Sequence, residues 1–469
     1  MFAVAPLPPE KCAYALARYS RSPDSIGDSI RWVREHDSRK FLESFYFQYG
    51  HASIADLGHV VLCFEGISEL AATEIEDEPL WDGQARSSRY QDFGRRGFVV
   101  PPEFDEARAA VYREAGEALL AAYRHVHGQV IESLQDRLPR PAEMKPDAYQ
   151  RNLAARAFDV ARYLLFFGVP TGVGQVTSIR TLERQIRRLK ASAYAELRDL
   201  GEEAAKACAE APGCLWDEGP AEPVAPTLAK YVEPDEHQRR AAEDLRQWAA
   251  QNLPPPAGGR PRDVEITRPH DLPADIAATL LYPVTARPFR ELYELARGWS
   301  AGMRREVMDT ALQSRSAHDD LLRGFRGGLY AFDFVMDIGA YRDLHRHRRC
   351  QQFRQSYTTA LGYETPEAIE AAGLAQFYRS PLERAFEIAR GLGGPGADYL
   401  LPFATRSRFL FKMDFAEAEY ISRLRSGVKG HFSYRRVAWR MKQEIERVDP
   451  ELGRLIQATP PEIEDPLQR

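Results

Sequence analysis

The chain has 469 residues, enough for two or three domains. Its 44% hydrophobic and 28% charged content is that of an ordinary soluble globular protein, and a net charge of −5 gives no global pull toward nucleic acid or acidic membranes. Five cysteines, widely separated except for Cys208 and Cys214, exclude a disulfide scaffold and a zinc site built on cysteine pairs, so a reduced, cytoplasmic setting is expected. The N-terminus lacks the basic region and apolar core of a signal peptide, and no apolar run is long enough to span a bilayer.

In chain order, Phe2-Ala3-Val4 is a short β-like start, followed by a helical stretch. His59-Val60-Val61-Leu62-Cys63-Phe64 is apolar and β-rich. Amphipathic helices are expected over Phe104–Leu138 and Asp147–Phe166, from apolar residues at helical spacing. A Pro-rich stretch from Pro212 to Pro226, a short helix from about Asp235 to Leu253 and the break Pro254-Pro255-Pro256-Ala257-Gly258-Gly259 form a connector. The element order then repeats: Val264-Glu265-Ile266, helix, the apolar Tyr330-Ala331-Phe332-Asp333-Phe334-Val335, and a final run of helices. An internal repeat at domain scale accounts for this order. It divides the chain into 1–231, a connector at 232–261, and 262–469.

The first half contains His51-Ala52-Ser53-Ile54-Ala55-Asp56, then Gly66-Ile67-Ser68, then Ser87-Ser88-Arg89-Tyr90. The second half contains Arg346-His347-Arg348, with Ser356 at the interval that separates Asp77 from Ser87. This set resembles the flavin-dependent thymidylate synthases, whose pattern is HxSxxEH, a strand, GxSR, a helix and RHRxxSxNExSxRY. Each half is partial. Asp77-Glu78-Pro79 stands where the first half would carry RHR, Ala85 and Arg354 replace the motif's glutamate, and Ser356-Tyr357-Thr358-Thr359 replaces the Ser-x-Arg-Tyr end. The family's ARxxLP segment and its later arginine, LR and histidine find partial matches too. These are Ala161-Arg162 with Arg180, and Ala397-Asp398-Tyr399-Leu400-Leu401-Pro402 with Leu424-Arg425 and His431. Ala17-Arg18-Tyr19-Ser20 is similar to the family's flavin-side turn.

The resemblance implies an α/β (α+β) fold: two such domains in tandem, each a twisted sheet flanked by long helices, forming a pseudo-dimer. It implies methylation of deoxyuridine monophosphate (dUMP) at C5, with methylenetetrahydrofolate as carbon donor, reduced FAD as hydride donor and NADPH as reductant. Arg425 and Arg89 are then the catalytic candidates. Ser87, Arg89, Arg162 and Arg425 are candidates for the substrate, and Arg346, His347, Arg348, Ser20, His51 and Ser53 for the flavin. Arginine suits both ligands, because its planar fork matches two phosphate oxygens and its charge stabilises an anionic flavin ring. A flavin carries the hard chemistry, which fits a chain with no recognisable nucleophile triad. No metal is expected, since His345 and His347 at i,i+2 fall on different faces of a helix. Family members assemble as homotetramers with shared sites, so a homodimer of tandem chains is expected. Two alternatives stay open within the resemblance: a diverged flavoenzyme for another pyrimidine nucleotide, and a non-catalytic flavin- or nucleotide-binding protein. The Arg346–Arg349 run also reads as a solvated basic helix face, with Asp343 and Asp337 as local partners.

Overall fold

The computed structural model describes residues 7–20, 25–37, 52–87, 93, 97–213, 223–224, 226–227, 232–234, 263–267, 271–281, 289–312, 321, 325, 328–465 and 467. The β-like start at Phe2–Val4, the connector helix, His51 and Arg89 lie outside them. The fold is mixed α/β, and it forms two compact units. Unit 1 comprises residues 1–113, 167–257 and 392–399; unit 2 comprises 114–166, 258–391 and 400–469. Each unit takes its sheet from one half of the sequence and a segment from the other. Among the described residues no helix is long and apolar enough to cross a membrane.

In chain order the elements used below are α1 (Pro9–Tyr19), β1 (His59–Ser68), α2 (Glu69–Ile75), β2 (Asp82–Ala85), α3 (Glu106–Arg137), α4 (Pro146–Ala161), β3 (Pro170–Ser178), α5 (Ile179–Lys190), β4 (Val264–Thr267), β5 (Tyr330–Asp337), α6 (Ile338–Leu344), β6 (Gln351–Arg354), β7 (Arg406–Met413), α7 (Phe415–Arg425) and α8 (Phe432–Val448). Unit 1 holds an antiparallel sheet of order β1-β3-β2. Unit 2 holds β4-β5-β7-β6, also antiparallel.

The two sheets follow one plan. β1 ends on Ser68, whose hydroxyl accepts the Ala71 N–H and caps α2; β5 ends on Asp337, whose carboxylate accepts the Ala340 N–H and caps α6. The interval from Ser68 to Asp82 equals that from Asp337 to Gln351, so β2 and β6 start at matching points. Ser178 and Asp414 likewise cap α5 and α7. Counted from these caps, Asp82↔Val176 and Gln351↔Lys412 are the same pairing, as are Ile67↔Thr171 and Met336↔Ser407. One residue breaks the correspondence. Gly66, at φ +70°, is an extra residue that bulges β1 between Glu65 and Ile67. Only a residue without Cβ takes that backbone readily.

Helix α3 matches expectation closely, whereas α4 stops at Ala161 and the chain turns through a 3₁₀ segment at Arg162–Leu164. The reason is tertiary. In unit 2 Phe166 bridges Pro402, and Leu165 and Tyr163 carbonyls accept the N–H groups of Phe403 and Ala404. In unit 1 Gly168 donates to the Tyr399 carbonyl, the counterpart of the Ala404 bond. The final run of each half, expected to be helical throughout, also contains a strand. β3 hid behind Gly172 and Gly174, which weaken strand preference. A Cβ on Gly172 would stand 2.9 Å from the Phe64 carbonyl oxygen, so the glycine permits the close pairing of β1 with β3. β7 alternates half-buried with buried residues at period two. Its Phe409 and Phe411 pack with Phe332, Phe334 and Tyr341, all buried, in the core of unit 2. Burying each such ring stabilises by roughly 1.5–3 kcal/mol.

Candidate functional site

The end of β5 builds the site in unit 2. Asp337 is fully buried; one oxygen caps α6 and the other accepts from the Ser433 hydroxyl at the start of α8. Gly339 comes next, in the first turn of α6. A Cβ there would lie 3.1 Å from the Asp337 carboxylate and in ordinary contact with Tyr163 and Arg162, so the segment after α4 packs directly on α6 at this point. Arg162 is buried and donates to Asp343, in the last turn of α6, at 3.1 Å. Arg162 Nε is buried without a hydrogen-bond partner among the described residues. Burial opposes the charge on Arg162, but Asp343 and Asp159 outweigh it and raise its pKa. Burial likewise pushes the Asp343 carboxyl up, yet Arg162, Arg346, Arg342 and Arg425 together hold it below the usual carboxylate range. Arg162 is thus in contact with this carboxylate, and Arg346, Arg342 and Arg425 act on it through their charge.

The chain turns after α6, and this turn carries the Arg-His-Arg motif. Arg346 is exposed, His347 buried and Arg348 half-buried. The His347 carbonyl accepts from Gln352 at 2.9 Å and from the Cys350 thiol at 2.9 Å, which fixes the turn. The ring of His347 is engaged on both nitrogens. Arg425 Nε–H donates to Nε2 at 2.8 Å, and Nδ1 faces Glu417 at 3.4 Å. Tyr420 packs edge-on against the ring at 5.7 Å. Glu417, Tyr420 and Arg425 all belong to α7. The Arg425 guanidinium carbon also lies 5.6 Å from the centre of the Tyr434 ring. His431 caps α8: its Nδ1 accepts the Ser433 N–H, so Nε2 carries the proton donated to the Asp159 carbonyl at 2.9 Å. Arg162, from the first half, pairs with Asp343, whose carboxylate also feels Arg346 and Arg425 from the second; Arg425 in turn is bonded to His347.

The counterpart positions in unit 1 carry different chemistry. Glu78 occupies the place of His347 and accepts from Arg188 Nε at 2.9 Å; Arg188 also donates to the Glu74 carbonyl at 2.8 Å. Burial raises the Glu78 carboxyl's pKa in spite of Arg188. Asp398 takes the place of Arg162 and accepts from the Tyr194 hydroxyl at 2.7 Å. Arg180, eighteen residues beyond Arg162 as the motif asks, pairs with Asp56 at 2.9 Å. The other candidates of unit 1 are exposed: Ser20, whose hydroxyl donates to the Ala17 carbonyl, Ser53 in a 3₁₀ turn, and Ser87 just after β2.

Sequence reasoning missed Glu417, Tyr420 and Ser433. Glu417 had a usable signal, standing eight residues before Arg425 on one helix, two turns away on the same face.

Comparison with known proteins agrees with the motif reading. The family model for thymidylate synthase complementing protein matches residues 4–212 and 283–451, most of both halves. The chain belongs to this family, as two divergent copies in tandem. A UPF0159 protein of Chlamydia muridarum is 26% identical over 433 residues, covering 88% of this chain and 78% of the relative. UPF0159 protein Ta1429 of Thermoplasma acidophilum is 24% identical, covering 94% and 93%. Among solved structures, the flavin-dependent thymidylate synthase ThyX of Helicobacter pylori complexed with FAD and dUMP is 17% identical with a TM-score of 0.29, covering 42% of this chain and 99% of that one. The UMP/dUMP methylase PolB of Streptomyces cacaoi, bound with 5-Br dUMP, is 16% identical with a TM-score of 0.30, covering 41% and 92%. TM-scores this low carry no weight for fold or site.

Proposed function

We propose that this protein is a flavin-dependent nucleotide methyltransferase that transfers a one-carbon unit from methylenetetrahydrofolate to C5 of dUMP. The observation that carries the proposal is Asp343, which pairs with Arg162 of one half and feels the charge of Arg346 and Arg425 of the other. Such a donor set fits a phosphate-bearing anion: guanidinium groups are permanently charged and bind oxygen pairs in parallel. The family's nucleotide and flavin both carry phosphate. Arg425, half-buried with its terminal nitrogens unbonded among the described residues, is the proposed substrate contact, joined by Ser87 and Arg89. Arg346 and Arg348, with Ser20, His51 and Ser53, are proposed to hold FAD. When bound, reduced FAD would supply the hydride, with NADPH as its reductant. The chain's own residues neutralise the phosphate, fix the pyrimidine and stabilise developing negative charge. We further propose a homodimer of tandem chains, matching four family domains by two-fold symmetry.

The deciding experiment is the absorbance spectrum of purified protein with and without dUMP, followed by a methylation assay with reduced flavin and methylenetetrahydrofolate. A flavin spectrum that responds to dUMP, and a thymidylate product, are expected. Protein purified without chromophore, and unable to bind added FAD or dUMP, would overturn the proposal.

A further inference from the structure

We infer that His347 and Glu417 form a positioning pair for Arg425: the neutral imidazole offers Nε2 as an acceptor to the Arg425 Nε–H, and Glu417 keeps the ring proton on Nδ1. This rests on the anion-binding reading of the cluster. It gives His347 a different task from direct flavin contact.

Arginine has five N–H donors in a rigid plane. In Arg425 the Nε–H is committed to His347 at 2.8 Å and the guanidinium lies near the Tyr434 ring. These two contacts fix the plane of the fork. They leave both terminal nitrogens without a hydrogen-bond partner among the described residues, at a half-buried position. A single tethered Nε with two open terminal groups is the arrangement that lets arginine meet two oxygens of one ligand in parallel.

The chemistry at His347 admits one protonation state. A nitrogen that accepts from Arg425 cannot carry a proton, so a neutral ring has its hydrogen on Nδ1, facing the Glu417 carboxylate at 3.4 Å. Glu417 lies in the first turn of α7, where the helix dipole favours an anion, and its side chain is only 5% exposed. A doubly protonated ring would direct Nε2–H at the Arg425 Nε–H, placing two donors and two positive charges 2.8 Å apart. The groups facing the ring are Glu417, Tyr420 and Arg425 from α7 and Arg346 from its own turn. Burial, then Arg425 and Arg346, favour the neutral ring, whereas Glu417 opposes them; the net direction is a lowered pKa. His347 is 6% exposed, with both nitrogens used and Tyr420 against its ring, which leaves it no donor for a cofactor.

The test uses the full-length chain and three variants. In His347→Gln the amide oxygen falls near the Nε2 position and keeps the acceptor. In His347→Asn the acceptor at that reach is lost. In Glu417→Gln the side-chain amide can donate to Nδ1 and so permit the wrong tautomer. Titration calorimetry with dUMP at pH 8 should give His347→Gln within about threefold of wild type, and His347→Asn and Glu417→Gln weaker by roughly tenfold or more. Between pH 8 and 5.5 wild type should lose more affinity than His347→Gln, whose pH dependence comes from the ligand phosphate and the other groups alone. A two-bond ¹H–¹⁵N spectrum of histidine-labelled protein, with His347 assigned by its loss in His347→Gln, should report the neutral Nδ1–H tautomer at pH 8. An Nε2–H or doubly protonated His347, or equal affinity of wild type and a folded His347→Asn, would overturn the positioning role. If wild type ignores dUMP but binds pyrophosphate with the same ranking of variants, the substrate reading fails and the positioning pair stands. If no variant or wild type binds either anion, both fail.

Discussion

Replacing Arg162 with alanine tests the composite cluster most directly, because this residue comes from the other half of the sequence than its partners. Arg162 is 6% exposed at the side chain and Asp343 21% exposed, with 3.1 Å between them. Removing one partner of a buried ion pair typically costs about 3–5 kcal/mol, since a desolvated charge is left behind. Here the loss should be smaller, about 2–3 kcal/mol. Asp343 retains some access to water and keeps Arg346, Arg342 and Arg425 nearby. Those arginines should then be drawn toward Asp343 and away from a ligand, weakening dUMP binding by roughly tenfold. Chemical denaturation and titration calorimetry read the two effects separately. The double variant Arg162→Ala with Asp343→Ala should recover much of the stability, because no lone carboxylate remains. A neutral Arg162→Ala variant, or strictly additive losses in the double variant, would refute the idea that this pair holds the cluster together.

Replacing Arg346 and Arg348 together with alanine should abolish flavin retention, read as the flavin absorbance of the purified protein; stoichiometric flavin would mark the turn as a solvated basic surface. Arg89→Ala should weaken dUMP binding by about 2–3 kcal/mol in calorimetry and leave flavin content unchanged. Glu78→Ala should destabilise the protein by about 1–2 kcal/mol, since Arg188 loses one of its two acceptors, while dUMP affinity stays within twofold of wild type. The lowered pKa of His347 means the unfolded chain takes up a proton that the folded chain refuses, so stability falls as pH drops below about 6.5. In urea titrations from pH 8 to 5.5, His347→Gln should show a shallower fall than wild type.

The parts of the fold legible in the sequence were those with a local signature. His59–Phe64 and Tyr330–Val335 are largely apolar, β-rich segments, and they lie in β1 and β5. The repeated element order and the equal interval from the Arg-His-Arg position to its serine pointed to one fold in both halves, and β2 and β6 begin at matching distances from their caps. β3 was hidden because two glycines give it no strand preference, and its existence depends on partners on both sides. The end of α4 was misplaced because nothing local stops a helix at Ala161-Arg162-Tyr163. The stop comes from hydrogen bonds to Phe403 and Ala404, more than two hundred residues away in sequence, an interval visible on the numbering alone. At the site, motif residues announced themselves by type and spacing, while their supports did not. Ser433 reads as a common residue near a helix start, and only the fold brings it to Asp337.

The division of labour between the halves has a physical basis in the covalent fusion. In an assembly of identical chains every substitution appears in every site, so exchanging arginine for aspartate at the Arg162 position would place a carboxylate in all of them. A tandem chain removes that constraint. Unit 2 receives the first-half segment carrying Arg162, and unit 1 receives the second-half segment carrying Asp398, so the two positions face different environments and can differ. Positive charge is retained where Arg346, His347 and Arg425 also lie. In unit 1 the corresponding turn carries Glu78, and Arg188 satisfies it internally. A carboxylate there repels phosphate, and its ion pair with Arg188 consumes the guanidinium that a ligand would need. The residues that stand in unit 1 at the places of His347 and Arg162 make structural bonds there, Glu78 to Arg188 and Tyr194 to Asp398. Under the proposed function, Arg162, Arg346 and Arg425 would give one nucleotide site per chain, and the proposed dimer would bind two. Calorimetry should accordingly give a stoichiometry of one dUMP per chain, and two equal sites per chain would contradict this arrangement.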